Sequence, residues 1–150
     1  MSQSLSKVYI HLTFSTKHRY PHIDSSIKDE LWKYIGGICK KMECNPIQIG
    51  GHNDHIHICC VLSKKINMAY LIFNVKKQSS IWIKTKGKKY ANFYWQVGYG
   101  VFSVNPSEIE IVSNYIKSQE EHHKTRSFQE ELVAFLKKYG VEYDERYIWY

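Results

Sequence analysis

The sequence predicts an α+β protein of ferredoxin-like build: segments in the order βαββαβ, folded as an antiparallel sheet with helices on one face, then further helices at the C-terminal end. Three observations carry that expectation. Apolar and polar residues alternate near residues 7–15 and 55–61, as in strands with one buried face. Apolar residues recur at helical intervals over 27–42 and again over 66–84. Glycines, prolines and capping residues punctuate the chain between these stretches.

The opening strand places Val8, Ile10, Leu12 and Phe14 on one face. After the Tyr20-Pro21 break, Asp24 can cap a helix whose Ile27, Leu31, Ile35, Ile38 and Met42 form one stripe. Pro46 restarts the chain into a short strand ending at Gly50-Gly51. The tight turn through His52, Asn53 and Asp54 then leads into the strand carrying His55 and His57, which makes a hairpin. A helix over about 66–84, a Lys-Gly-Lys-Lys loop and an aromatic run from Tyr90 to Trp95 precede a strand over 99–104. Asn105-Pro106-Ser107-Glu108 supplies an N-cap, a proline at the first helical position and an acid three residues after the cap, predicting a helix to about His123. Ser127-Phe128-Gln129-Glu130 opens a shorter helix that Gly140 closes, with Phe128, Leu132, Phe135 and Leu136 on one side. The acidic and aromatic tail over 143–150 must dock on the rest.

A chain of 150 residues suffices for one core and is short for two, so 1–150 is expected to form one domain. Its 43% hydrophobic and 15% aromatic content excludes a disordered protein. No apolar run approaches the ~20 residues that span a bilayer. The start, Met-Ser-Gln-Ser-Leu-Ser-Lys, lacks a signal-peptide core, and a cytoplasmic protein with no membrane attachment is expected. Cys39, Cys44, Cys59 and Cys60 contain no Cys-x-x-Cys pair and are expected to be reduced and buried.

Net charge is +7, and its distribution says more than its sum, because no Asp or Glu occurs from His55 to Ser107. Within that span Lys64, Lys65, Lys76, Lys77, Lys84, Lys86, Lys88 and Lys89 stand among Tyr70, Trp82, Tyr90, Phe93, Tyr94 and Trp95. Cations interleaved with aromatics suit a phosphate backbone with unstacked bases. The plain alternative is a solvated lysine face over a buried aromatic stripe.

His55 and His57 are one residue apart on a strand, so both imidazoles project from one face and can share a divalent ion. Cys59 shares that face but lies ~13 Å from His55 at strand rise, too far to join them on one ion. His52 reads as a turn residue, and Asp54, of opposite parity, as at most a support to an imidazole. Tyr115 and Gln119 are four apart, one above the other on a helix, with His122 continuing the stripe. Gln119 offers a neutral oxygen of the kind that suits Mg²⁺ or Mn²⁺.

These features stand in a longer pattern: Ser4-Leu5-Ser6-Lys7-Val8-Tyr9-Ile10-His11-Leu12-Thr13-Phe14-Ser15-Thr16-Lys17, Asp54-His55-Ile56-His57, Tyr99-Gly100-Val101-Phe102-Ser103, Tyr115 to Gln119 with Glu120-Glu121-His122-His123, Phe128-Gln129-Glu130-Glu131 and Gly140-Val141-Glu142-Tyr143-Asp144-Glu145-Arg146-Tyr147. The chain resembles, almost end to end, the small single-tyrosine HUH transposases of bacterial insertion sequences, a family that includes relatives acting on repetitive extragenic palindromes. Cys59-Cys60 departs from the aliphatic residues expected there, which bears on core packing alone.

The resemblance implies that His55 and His57 bind the divalent ion with Gln119, and that Tyr115 attacks a DNA phosphate to leave a 5′-phosphotyrosyl link and a free 3′-hydroxyl. It also implies homodimers that recognise hairpins in single-stranded DNA, with the tyrosine helix able to complete the partner's site. Such a link conserves the energy of the broken bond, in keeping with the absence of a P-loop pattern. Two rivals are a domesticated hairpin-binding protein with little transposition and a metal-dependent phosphodiesterase in which water attacks.

Overall fold

A computed structural model of the chain describes residues 2–150, the side chain of His122 excepted. Its elements are β1 (Tyr9–Ser15), α1 (Lys28–Lys41), β2 (Pro46–His52), β3 (His55–Val61), α2 (Met68–Lys84), β4 (Gly100–Val104), α3 (Ile109–Lys117), α4 (Gln119–His122) and α5 (Phe128–Lys138). The sheet order is β2-β3-β1-β4 and every pairing is antiparallel. This is the expected ferredoxin-like arrangement, with β1 and β3 at its centre.

Alternation along the two central strands sorts the residues into layers. Ile10, Leu12 and Phe14 of β1 and Ile56, Ile58 and Cys60 of β3 form one core with Leu31, Ile35 and Ile38 of α1 and Leu71, Ile72, Val75 and Ile83 of α2. Burying each such aliphatic side chain contributes about 1.5–3 kcal/mol before chain entropy is counted. His11, Thr13, His55, His57 and Cys59 have the opposite parity, yet they too are buried. The C-terminal helices roof this second face, where Phe102 packs with Phe128, Leu132 and Leu136 of α5. All four cysteines are buried and free, as expected.

Local chemistry sets most of the boundaries. Asn67 caps α2 by accepting from Tyr70 N, and Ser127 caps α5 by accepting from Glu130 N. Asp24 accepts from the backbone of Ser26 and Ile27 in the turn just before α1. Gly140, with φ +65, follows α5 in the left-handed conformation that suits glycine. Two spans differ from expectation. β2 runs on through His52, which pairs with His55. The helix expected over 106–123 is instead a 3-10 turn at Pro106–Glu108 followed by α3 and α4, broken at Ser118, whose hydroxyl bonds back to Asn114 O at 2.8 Å. The tail docks on the segment before β4, with Gly98 N donating to Tyr150 O at 2.6 Å and Gln96 Nε2 to Ile148 O at 3.2 Å. No helix of the described residues is long and apolar enough to cross a membrane.

α3 approaches the sheet over Gly50, where a Cβ would stand 2.7 Å from Ile116 O and 2.9 Å from Ile116 Cγ2. A side chain there must push α3 outward. Gly50→Ala is therefore expected to destabilise the fold by about 1–3 kcal/mol in urea titration. Gly37→Ala, in α1 with nothing within 4 Å of the added methyl, is expected to stabilise by about 0.5–1 kcal/mol. Equal effects of the two changes would rule out the close approach.

Candidate active site

β3 supplies two buried imidazoles side by side, with ring centroids 5.2 Å apart. The Oδ1 of Asp54 accepts from His55 Nδ1 at 2.7 Å, which fixes that ring and turns Nε2 toward α4. Strand parity does not govern Asp54, because it sits in the turn before the strand begins. His55 Nε2 lies 2.9 Å from Gln119 Oε1. His57 Nε2 lies 2.7 Å from Glu131 Oε1, and its Nδ1 lies 2.8 Å from His11 Nε2. The Tyr115 hydroxyl donates to Glu131 Oε2.

The two pairs expected from sequence, His55 with His57 and Tyr115 with Gln119, thus meet within one chain. Sequence reasoning missed the residue at their centre. Glu131 of α5 touches His57, Tyr115 and Gln119, and its Oε2 is 3.4 Å from His123 Nε2. Its position was marked in one way: it lies on the apolar stripe of α5, three residues after Phe128 and four before Phe135. An acid on such a stripe needs buried partners. His11, on the face of β1 opposite the isoleucines, was also missed. His52 is not a turn residue, since it shares the site's face of the sheet and its ring stacks on His123 at 5.6 Å.

Burial acts on Glu131, Tyr115, His57 and His11. It would raise the Glu131 carboxyl, but hydrogen bonds from His123 and His57 and the imidazoles' charge outweigh it and hold the group well below the usual carboxylate range. Burial, then the Glu131 charge and hydrogen bond, push the Tyr115 phenol well above its usual value. Burial lowers His57, and it takes His11 down to about 3 with help from His57. The site therefore holds an ionised acid, a neutral phenol and a neutral His11.

His55, His57 and Glu131 place their ligand atoms within 4.8 Å of one another, a donor set able to hold a metal ion. The chemistry of the set fits a divalent cation. With Asp54 engaging Nδ1, His55 turns Nε2 to the amide oxygen of Gln119 at 2.9 Å, a nitrogen and an oxygen ligand that a cation would join.

The lysines lie mainly on the α1/α2 side of the sheet. Lys84, Lys86, Lys88 and Lys89 gather at the end where His55 pairs with Ser15 and Thr16 bridges Trp95. Lys64 and Lys65 follow Val61 at the opposite end, and Lys65 pairs with Glu43. Lys77 lies over Phe73. Lys76 serves the fold: its Nζ donates to the carbonyls of Gln96, Val97 and Gly98 at 2.7, 3.1 and 2.8 Å, and burial brings it to about 8.

Residues 4–119 match a family model described as IS200-like transposase. No curated protein shows significant similarity to the chain. Among solved structures, the chain is similar to a Deinococcus radiodurans protein described as a transposase, at 17% identity and TM-score 0.62, over 79% of this chain and 98% of that one. It is also similar to a REP-associated tyrosine transposase bound to a REP hairpin, at 16% identity and TM-score 0.60, over 82% and 74% of the two chains.

Two outcomes follow from this geometry. Below pH 6.5 the unfolded chain takes up a proton on His11 that the folded chain refuses until about pH 3, so stability falls with acid across that window by up to ~1.4 kcal/mol per pH unit. His11→Gln is expected to flatten the slope of urea midpoints between those limits, and an unchanged slope would exclude His11 as its source. Lys76→Met is expected to cost about 2 kcal/mol or more, and Lys77→Met less than about 0.5. Comparable losses would show that the three carbonyls do not depend on Lys76.

Proposed function

The chain belongs to the IS200-like transposase family, and from that membership and the geometry of the site we propose that it cuts and rejoins single-stranded DNA through Tyr115. The observation that carries the reading is the meeting of the Tyr115 hydroxyl, two strand-borne imidazoles and Glu131 in one buried cluster. A half-buried tyrosine whose hydroxyl rests on an ionised acid beside a candidate metal set is an arrangement for nucleophilic attack on a phosphodiester.

His55, His57 and Glu131, with the amide oxygen of Gln119, are the residues that would hold Mg²⁺ or Mn²⁺. When bound, the ion supplies Lewis acidity, drawing charge from the scissile phosphate and from the departing 3′-oxygen. Asp54 and His11 keep the two imidazoles turned to the site through their Nδ1 atoms. Tyr115 rests as a phenol, and Glu131 Oε2 accepts its proton as the tyrosine oxygen bonds to phosphorus. The bond from phosphorus to the 3′-oxygen breaks as Glu131 passes the proton on to that oxygen, leaving a 5′-phosphotyrosyl link and a free 3′-hydroxyl. Attack by another 3′-hydroxyl reverses the step and returns the proton to Tyr115, so no nucleotide is consumed.

The proposed partner is single-stranded DNA carrying hairpins, a reading supported by the similar REP-associated transposase, which is bound to a REP hairpin. The lysines other than Lys76, above all those at the His55 end of the sheet, are candidates for its phosphates. In a homodimer, exchange of α3 through the link at 104–106 could place Tyr115 against a second chain. The compact cluster favours action within one chain.

Incubation of the protein with hairpin-bearing single strands and Mn²⁺ should give a covalent protein–DNA adduct. Tyr115→Phe should give none, and chelation of the metal should prevent the adduct in the wild type. Cleavage by Tyr115→Phe would instead favour water as nucleophile, and hairpin binding without any adduct would favour the domesticated binder. Glu131→Gln should weaken Mn²⁺ binding, measured by calorimetry, at least tenfold; unchanged affinity would remove Glu131 from the ligand set. A mixture of Tyr115→Phe and His57→Ala chains should stay inactive. Recovered activity would show that tyrosine and histidines from different chains meet.

A further inference from the structure

The geometry points to a second DNA contact beside the active site: a cleft that takes one unstacked base of the single strand together with its phosphate. This rests on the single-strand reading above. The cleft, of about 380 Å³, is lined by Lys17, His18, Tyr20, His22, Lys89 and Tyr94, with Asn92 between the last two, and no acid lines it.

Its aromatic rings are placed as platforms. Tyr20 and Tyr94 are 62% and 53% exposed, although other aromatics nearby, Phe93 and Trp95, are buried. The Tyr20 ring rests on His22 at 4.6 Å, and His22 rests edge-on against Phe93 at 5.6 Å. Lys84 and Lys17 lie 4.2 and 5.8 Å from the centre of the Tyr94 ring. Lys89 is paired with Asp24 at 3.0 Å, whereas Lys17 forms no ion pair among the described residues. A base offers a π-face to the tyrosines and a phosphate offers charge to Lys17, a combination that tolerates any sequence.

The backbone is bent to make this concavity. His18 and Arg19 both have φ of 57°, two successive non-glycine residues in the left-handed region that side chains disfavour. Thr16 holds the bend closed, its carbonyl accepting from Arg19 N at 2.9 Å and its hydroxyl donating to Tyr20 O at 2.7 Å. The same residue ties the cleft to the active site. Thr16 N donates to Asp54 O at 2.8 Å, and Asp54 orients His55. The loop that lines the cleft is thus hydrogen-bonded to the turn that carries Asp54, next to His55.

The test measures affinity by fluorescence anisotropy for two DNA probes, a hairpin with a short single-stranded flank and the same hairpin without it. Tyr20→Ala combined with Tyr94→Ala should weaken binding of the flanked probe about tenfold or more and leave the flankless hairpin unchanged. Phenylalanine at both positions should restore affinity, which separates lost stacking from a damaged fold. One abasic position in the flank should make the wild type bind as the double alanine variant does. Lys17→Gln should lower the slope of log affinity against log salt by about one. Unchanged affinity for the flanked probe overturns the cleft, and so does equal weakening on both probes. Adduct formation at saturating flanked DNA is read in parallel. Its absence in the wild type would sink cleavage through Tyr115 and leave the binding result standing, whereas adduct with unchanged affinity would sink the cleft alone.

Discussion

Each residue along β3 points away from its neighbours, and the whole molecule is organised around that alternation. Ile56, Ile58 and Cys60 fall to the apolar layer under α1 and α2, and His55, His57 and Cys59 to the face roofed by α3, α4 and α5. A slip of one residue would drive imidazoles into the aliphatic core and isoleucines onto Glu131. The register is pinned beside the site itself, since a Cβ on Gly51 would stand 2.2 Å from His55 O. Fold and chemistry therefore share one constraint, and neither can shift without the other.

The second layer is polar and buried, which is costly unless its groups satisfy each other. Among the described residues no buried side-chain nitrogen or oxygen lacks a partner. Glu131 achieves much of this by itself, bridging an imidazole, a phenol and an amide. Burial and then the same ionised group keep Tyr115 protonated, and Glu131 adds negative charge where a cation would sit. The phenol is thus held in its protonated form, hydrogen-bonded to an ionised acid.

The strands, the main helices and the two pairs His55/His57 and Tyr115/Gln119 were legible because each rests on short-range periodicity. The family match ends at residue 119, short of the acid at the centre of the site. Glu131 lies in α5, 74 residues from the histidine it meets, and only its place on an apolar stripe hinted at burial. His11 looked like the wet side of a half-buried strand, because the helices that dry it come about a hundred residues later. The break at Ser118 turns on one hydroxyl choosing a backbone carbonyl, a choice that helical spacing does not encode. Lys76 joined the basic span by composition, and only the path of the chain over 96–98 shows that its ammonium is occupied.

Placing the helix of Tyr115 after the complete βαββαβ sheet has a consequence in time. A chain leaves the ribosome N-terminus first, and domains begin to fold as they emerge. All four strands are present by Val104, whereas Tyr115 and then Glu131 come later. A nascent or prematurely ended chain can thus carry His55 and His57 without any hydroxyl aimed at a phosphate. If Tyr115 is the cutting residue, the host genome is exposed to this chemistry only after the sheet and the helix that bears Tyr115 have both been made.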